Sequence, residues 1–172
     1  MLMKKHILLT LTVSIIFFSV LASCEKDEIC LEETTPRLII RFYDASDPED
    51  FKKVTNLKVN IEGIDGDYEN ESITILTDSI AIPIKVTEDI TKIKLTLNGK
   101  DADETNDNED VFEIRYIRED VFVSRSCGYK TIFYDGVTSL EDDSDNWIIS
   151  LETIDTPQDI LNQKSAHVKI FH

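Results

Sequence analysis

The chain has 172 residues, and its 34 acidic residues outnumber its 18 lysines and arginines, giving a formal net charge of −16. A surface this acidic repels phosphate backbones, and no basic stretch with interleaved aromatic residues offsets it, so nucleic-acid binding is excluded as an expected function. A hydrophobic fraction of 41% with only five glycines and four prolines is typical of a folded domain rather than of a disordered segment.

The first 24 residues have the order of a secretion signal. Lys4 and Lys5 precede an apolar run over residues 7–20, and Leu21-Ala22-Ser23-Cys24 follows. The run is shorter than the roughly 20 apolar residues of a transmembrane helix. The ending resembles the lipobox of bacterial lipoproteins, in which cleavage before the cysteine is coupled to its acylation. We expect a signal peptide over residues 1–23 and lipidation of Cys24, with an ordinary cleaved signal as the alternative.

The residues after Cys24 resemble a second localisation signal. Glu25-Lys26-Asp27-Glu28 is similar to the Lys-plus-acidic signal that sends some Gram-negative lipoproteins to the outer face of the outer membrane. A short charged tract also serves as a hydrated spacer, which stays the alternative. We expect a lipid-anchored outer-membrane protein, exposed at the cell surface, with Lys26, Asp27 and Glu28 as its export signal.

Cleavage would leave 149 residues, enough for one domain with one core. We expect residues 24–36 to form a lipidated tether and residues 37–172 a single β domain. Once Cys24 is acylated, Cys30 and Cys127 are an even pair in an oxidising compartment, and we expect them to form a disulfide. Free buried thiols are the alternative. Two cysteines without a nearby histidine are too few for structural zinc.

Apolar residues alternate with polar ones along most of the remaining chain, which predicts β-strands with one buried face. The inward positions predicted from this pattern are Leu38, Ile40, Phe42, Leu57, Val59, Ile61, Ile73, Ile75, Ile80, Ile82, Ile84, Val86, Ile93, Leu95, Leu97, Phe112, Ile114, Tyr116, Val121, Val123, Ile132, Tyr134, Trp147, Ile149, Leu151, Val168 and Ile170. Together they predict an all-β fold: an antiparallel β-sandwich, immunoglobulin-like or similar, of about nine strands.

Turn and helix signals separate these segments. Gly63, Asp65-Gly66, Asn98-Gly99 and Asp135-Gly136 are predicted turns. The segments beginning at Asp47-Pro48 and Thr156-Pro157 each have an N-cap residue followed by proline, which predicts a helical turn or two at each place.

Several segments in order carry a family resemblance. They are Arg-Leu-Ile-Ile-Arg-Phe-Tyr-Asp at 37–44, Val-Thr-Asn-Leu-Lys-Val at 54–59, Asp-Val-Phe-Val-Ser-Arg-Ser-Cys-Gly-Tyr-Lys at 120–130, Asp-Asn-Trp-Ile at 145–148 and Ala-His-Val-Lys-Ile at 166–170. Together they resemble a family of small bacterial envelope lipoproteins known only as a domain of unknown function. The resemblance implies a lipoprotein with one β domain and supplies no catalytic residues.

Candidate polar sites are few. His167 and His172 lie in or after the last predicted strand, without a nucleophile elbow, and we expect both to occupy exposed strand positions. The acidic stretch at residues 101–110 begins like a calcium loop, which makes Asp101, Asp103 and Asp107 weak metal candidates. Asn106 replaces the turn glycine and Phe112 the bidentate glutamate, so a solvated hairpin loop is the expected structure. A second acidic loop at residues 141–145 could share weak divalent-ion binding if both lie at one end of the domain.

Residues 120–129 bring apolar, cationic and small side chains together. Packing explains them: Arg125 pairs at a strand edge, Gly128 permits a bend and Cys127 joins the N-terminus. The alternative is a ligand groove framed by Arg125 and Tyr129. We therefore expect a non-enzymatic, lipid-anchored binding or accessory domain, with no cofactor and with an envelope protein as partner. The alternative function is a hydrolase-like enzyme whose site is assembled only in three dimensions.

Overall fold

The computed structural model describes residues 5–6, 29–31, 34–63, 76–155 and 158–172. These residues form eleven strands: β1 Leu38–Tyr43, β2 Val54–Thr55, β3 Lys58–Ile61, β4 Leu76–Thr77, β5 Ser79–Ile82, β6 Ile90–Leu97, β7 Asn108–Ser124, β8 Gly128–Leu140, β9 Ser150–Thr153, β10 Gln158–Ile160 and β11 Val168–Phe171. A single-turn 3₁₀ helix spans Glu104–Asn106. Within these ranges no helix is long and apolar enough to cross a bilayer.

The strands form three open sheets over the described ranges. Their orders are β5-β1-β11-β9, β10-β8-β7-β6-β3 and β2-β4. The predicted all-β class is confirmed. The prediction of a wholly antiparallel fold is wrong at one place, since β1 and β11 pair in parallel from Ile40↔Val168 to Tyr43↔Phe171. These are the first and last strands, so no tight turn joins them and none requires them to be antiparallel.

The two larger sheets contribute side chains to one continuous core. Every second residue is buried along β1 and β3, and along β6 as far as Leu95, as the sequence pattern predicted. The buried residues from the four-stranded sheet and its flanks include Leu38, Ile40, Phe42, Ile80, Ile82, Ile84, Val168 and Ile170. Those from the five-stranded sheet include Val59, Ile61, Ile93, Leu95, Phe112, Ile114, Tyr116, Phe133 and Ile160.

Strands β7 and β8 form one long hairpin, where the sequence pattern predicted three shorter strands. The predicted turn at Asp135-Gly136 lies inside β8 instead. Arg115 pairs with Val137 and Ile117 with Tyr134, so one residue of β7 faces two residues of β8 in a bulge. Asp135 has a φ of 53°, and a Cβ at Gly136 would lie 2.8 Å from the Gln158 carbonyl oxygen of β10. The bulge therefore continues the hairpin where a sequence pattern suggests its end.

Three further expectations are corrected. Ile148 is buried and Ile149 is 67% exposed, the reverse of the predicted alternation, because this segment precedes β9 and is not itself a strand. The residues from Asp47 form a turn, in which the Asp50 N–H donates to the Asp47 carbonyl oxygen at 2.9 Å, and not a helix. His167 is buried, not exposed. The predictions at Asp65-Gly66, Ile73, Ile75 and Thr156-Pro157 lie outside the described residues.

Candidate functional site

The tip of the β7–β8 hairpin is joined to the N-terminal segment by a disulfide. Cys127 lies in the turn Arg125–Cys127 between the two strands, and its Cα is 4.9 Å from the Cα of Cys30. This distance is normal for a disulfide, and the predicted pairing is confirmed. The bridge brings a residue eight positions before β1 to the end of the longest hairpin in the described chain.

A second contact attaches the same N-terminal segment to β8. The Thr131 N–H donates to Thr35 Oγ1 at 3.0 Å. The Thr131 hydroxyl in turn donates to Asp120 Oδ1, on the facing strand β7, at 2.7 Å. The N-terminal segment is therefore held against the hairpin at two points: Cys30 close to the tip, and Thr35 partway along β8.

A cleft of about 430 Å³ lies at the base of the projecting part of the hairpin. Its lining residues are Asp89, Tyr116, Ile117, Arg118 and Asp120. Arg118 Nε donates to Asp89 Oδ1 at 2.7 Å, and Arg118 Nη1 donates to the Val86 carbonyl oxygen at 2.5 Å. The charged groups of the cleft thus hold the β5–β6 connection against β7.

The Tyr116 hydroxyl behind this cleft belongs to a closed ring of hydrogen bonds. The Lys85 N–H donates to Thr91 Oγ1 at 2.9 Å, and Tyr116 Oη donates to the Lys85 carbonyl oxygen at 2.8 Å. The remaining Thr91 proton therefore points to Tyr116 Oη, 2.5 Å away. Burial raises the pKa of the Tyr116 phenol, so the neutral form that this ring requires is favoured. These hydrogen bonds hold Tyr116 and strand β7 in place, and they use the single proton of the Tyr116 hydroxyl.

Asp110 is the buried acidic residue of β7. One of its oxygens accepts a hydrogen bond from the Ile148 N–H at 2.7 Å, and the other accepts one from the Trp147 N–H at 3.3 Å. Burial raises its pKa, and these backbone hydrogen bonds act in the opposite direction. The sequence analysis missed this residue, although a signal existed: Asp110 lies two residues before Phe112, on the inward face of the same strand.

His167 is the second buried polar residue that the sequence analysis misplaced. Its Nδ1 accepts a hydrogen bond from the Ile39 N–H at 2.9 Å. Its backbone N–H donates to the Ile39 carbonyl oxygen at 2.8 Å, and its carbonyl oxygen accepts a hydrogen bond from the Ile154 N–H at 3.0 Å. Burial lowers the pKa of its imidazole. No sequence pattern predicts this hydrogen bond. His167 directly precedes β11, and it meets Ile39 only because β1 and β11 pair in parallel in the fold.

The weak metal candidates are used by their own loop. Asp101 Oδ1 accepts a hydrogen bond from the Asp103 N–H at 2.8 Å, and Asp103 Oδ1 accepts from the Thr105 N–H and the Thr105 hydroxyl. The Thr105 hydroxyl lowers the pKa of Asp103. Asp107 ends the 3₁₀ helix. Among the described side chains no three His, Cys, Asp or Glu groups converge as a metal site requires.

The two acidic loops do lie at the same end of the domain. Asn108 Nδ2 donates to the Asp145 carbonyl oxygen at 2.6 Å, and Lys92 forms an ion pair with Glu141 at 2.7 Å. They share an end, but their carboxylates do not converge. This end is opposite the disulfide-linked tip, since β7 runs from one to the other.

Arg125 and Tyr129 both lie at the exposed tip, outside the cleft. Tyr129 pairs across the hairpin with Phe122, and their ring centroids are 5.4 Å apart in a T-shaped contact. The predicted framing of a groove by Arg125 and Tyr129 has no counterpart in the described cleft. Cys24, Lys26, Asp27 and Glu28, the predicted lipidation site and export signal, lie outside the described residues.

Comparison with known proteins gives one match. The model of the Family of unknown function (DUF6452) matches residues 58–172. This match confirms the expected domain of unknown function. The matched range includes Cys127, the hairpin and the four cleft residues on β7, which are Tyr116, Ile117, Arg118 and Asp120. No curated protein and no solved structure matches the chain.

Proposed function

The chain belongs to the family of unknown function DUF6452, and we propose that it is a lipid-anchored protein of the bacterial outer envelope. The observation that carries this proposal is the order of the N-terminus: two lysines, an apolar run, and Leu21-Ala22-Ser23 before Cys24. In this proposal residues 1–23 are removed and Cys24 becomes the acylated first residue. Each buried CH₂ of a lipid chain contributes about 0.8 kcal/mol, so two or more chains anchor a protein stably.

The disulfide supports a secreted, folded domain behind that anchor. Cys30 and Cys127 are bonded, and stable disulfides are typical of oxidising compartments outside the cytoplasm. We propose that residues 24–36 are the tether and residues 37–172 one β domain. Its two larger sheets contribute to a common core, which supports a β-sandwich arrangement.

Within this proposal the domain acts as a binding or accessory subunit for another envelope protein. The arrangement of its polar groups supports a role without chemistry at the cleft. Arg118, Asp120 and the Tyr116 hydroxyl each make hydrogen bonds that hold neighbouring segments together. Lys26, Asp27 and Glu28 would direct the acylated protein to the outer face of the outer membrane.

Replacement of Cys24 by alanine tests the lipid anchor. The wild-type protein is expected to partition into the detergent phase of a Triton X-114 extract, and its mature N-terminus to carry the mass of an acylated cysteine. Cys24→Ala should remain an unprocessed precursor without the acyl mass. Cys30→Ala is the matched control, because it removes a cysteine six residues away and should leave the acylation unchanged. An acyl mass retained by Cys24→Ala would disprove the proposal.

A further inference from the structure

The distal part of the β7–β8 hairpin projects beyond the rest of its sheet. Strand β6 pairs with β7 only from Asn108 to Arg115, whereas the segment from Ile117 to Ser124 pairs only with β8. At about 3.3 Å per residue, this segment extends roughly 30 Å past the last pair with β6. We call residues 117–132 the distal hairpin.

The tip of the distal hairpin carries an exposed apolar cluster. Phe122 is 56% exposed and Tyr129 is 71% exposed, and their rings are in contact. Two aliphatic side chains flank the disulfide-bonded Cys30: Ile29 is 80% exposed and Leu31 is 91% exposed. We call Ile29, Leu31, Phe122 and Tyr129 the tip cluster. It brings two aromatic and two aliphatic side chains to one end of a strongly acidic protein.

The tether limits how far this tip can be from Cys24. Cys30 is six positions after Cys24, and a fully extended chain spans at most about 3.6 Å per residue, or roughly 22 Å in total. Cys30 is in turn bonded to Cys127 in the turn of the hairpin. Without the disulfide, the first anchored point of the chain would be Thr35 or β1, farther from the lipid. The disulfide therefore selects the hairpin tip as the part of the domain nearest Cys24.

The distal hairpin is also fixed in its direction. Arg118 connects its base to Asp89 and Val86, and the Asp120–Thr131–Thr35 hydrogen bonds connect its middle to the N-terminal segment. A hairpin held in this way keeps one orientation relative to the domain. Two-stranded ribbons without such contacts are marginally stable in water.

We propose that the tip cluster inserts into the lipid–water interface of the membrane that holds the acylated Cys24. This inference rests on the lipid anchor proposed above. Tyrosine suits this interface because its ring is apolar and its hydroxyl is polar, and apolar side chains gain from leaving water there. Arg125 and Lys130 beside the cluster would meet lipid phosphates. The anchor keeps the tip at a high effective concentration near the bilayer, so a weak affinity suffices.

The inserted tip would orient the whole domain. The acidic loops at residues 101–107 and 141–145 lie at the opposite end of β7, and β7 has 17 residues. They would therefore point away from the membrane, at roughly 50 Å from the tip. Like charges repel, so an anionic bilayer surface favours the same orientation.

Tryptophan quenching by brominated lipids tests this contact. The acylated full chain is incorporated into vesicles of phosphatidylethanolamine and phosphatidylglycerol with brominated acyl chains. The wild-type protein gives the background from its single tryptophan, Trp147, near the acidic loops. Tyr129→Trp places a probe in the tip cluster. Val137→Trp is the matched control, since Val137 is an exposed residue of the same strand, eight positions nearer the far end.

We expect Tyr129→Trp to lose fluorescence in brominated vesicles relative to unbrominated ones, and wild type and Val137→Trp to lose none. If all three proteins float with the vesicles and no tip quenching occurs, the contact proposal is overturned and the lipid anchor stands. If neither wild type nor Cys24→Ala floats with the vesicles, the lipid anchor is disproved, and the contact proposal fails with it.

Discussion

Asp110 and the residues that it holds are the clearest case of one side chain determining local structure. Its carboxylate receives the backbone N–H groups of Trp147 and Ile148, in a segment without strand pairing of its own. Ile148 is thereby directed into the core, while Trp147 Nε1 donates to the Leu95 carbonyl oxygen at 3.1 Å. A buried carboxylate here replaces the hydrogen bonds that a strand would have supplied.

We predict that Asp110→Ala strongly destabilises the protein. The substitution leaves the buried Ile148 N–H and the half-buried Trp147 N–H without their partner. An unpaired buried group costs about 1–3 kcal/mol, and a half-buried one costs less. The free energy of unfolding, measured in urea, should fall by roughly 2–5 kcal/mol on that basis. Asp142→Ala, at an exposed acidic residue of the adjoining loop, is the control and should change it little. Equal stability of the two variants would contradict the assigned role of Asp110.

His167 makes stability depend on pH. Because its Nδ1 accepts the Ile39 N–H, the folded state holds a neutral ring, and burial lowers the imidazole pKa below its ordinary 6.5. The folded state therefore binds fewer protons than the unfolded chain below pH 6.5, and stability is lost as the pH falls through 6.5 toward the lowered pKa. Above 6.5 both states are neutral and this contribution is constant.

We predict that His167→Asn reduces this acid sensitivity. Asparagine can still present an oxygen to the Ile39 N–H but does not titrate. Unfolding free energies measured between pH 7 and pH 5 should fall more steeply in wild type, by at most about 1.4 kcal/mol per pH unit for one histidine. His172 remains in both proteins and its pKa is also lowered by burial, so the difference between them isolates His167. Parallel pH profiles would show that the pKa of His167 is the same in the folded and unfolded states, and would contradict this prediction.

At the scale of elements, local pattern and long-range pairing differ in how well a sequence predicts them. Strands β1 and β3 were predictable because one face of each is buried along its whole length, and β6 was predictable as far as Leu95 for the same reason. The continuous β7–β8 hairpin was not, since the bulge at Asp135 and Gly136 shifts the alternation by one residue. The cysteine pair was predictable by count, whereas the cleft depends on Arg118 meeting Asp89 across 29 residues, a contact that only the folded topology provides.

We predict that the Cys30–Cys127 bridge stabilises the domain and holds the N-terminal segment on the hairpin. The bridge closes 97 positions of sequence, and loss of a native disulfide typically costs about 2–5 kcal/mol. Cys127→Ser should lower the melting temperature and free one titratable thiol, at Cys30. Protease cleavage near Leu31 should also become faster. Ser126→Ala is the control at the neighbouring, exposed position. Two free thiols in denatured wild-type protein would refute the bridge.

At the scale of the whole molecule, the acidic loops and the disulfide-linked N-terminal segment lie at opposite ends of the domain. The mature chain proposed here would have 16 basic and 34 acidic residues, a formal charge of −18. The acidic loops lie together at one end, and the disulfide ties the other end to the tether. In the orientation proposed above, the domain would present its most acidic end away from the membrane surface. The proposed tether would then determine the side of the membrane on which it does so.

We predict that Lys26, Asp27 and Glu28 carry the domain to the cell surface. Trypsin added to intact cells should digest the wild-type protein, because Lys100 is exposed in the loop before β7, at the opposite end of that strand from the disulfide. Replacing all three residues with alanine should protect the protein, because it would then stay on the periplasmic side. Glu32 and Glu33 replaced by alanine form the matched control: two charges of the same tether are lost, and digestion should continue. After lysis all three proteins should be digested at the same rate. Digestion of the triple variant on intact cells would make the tract a spacer and leave surface export to another part of the chain.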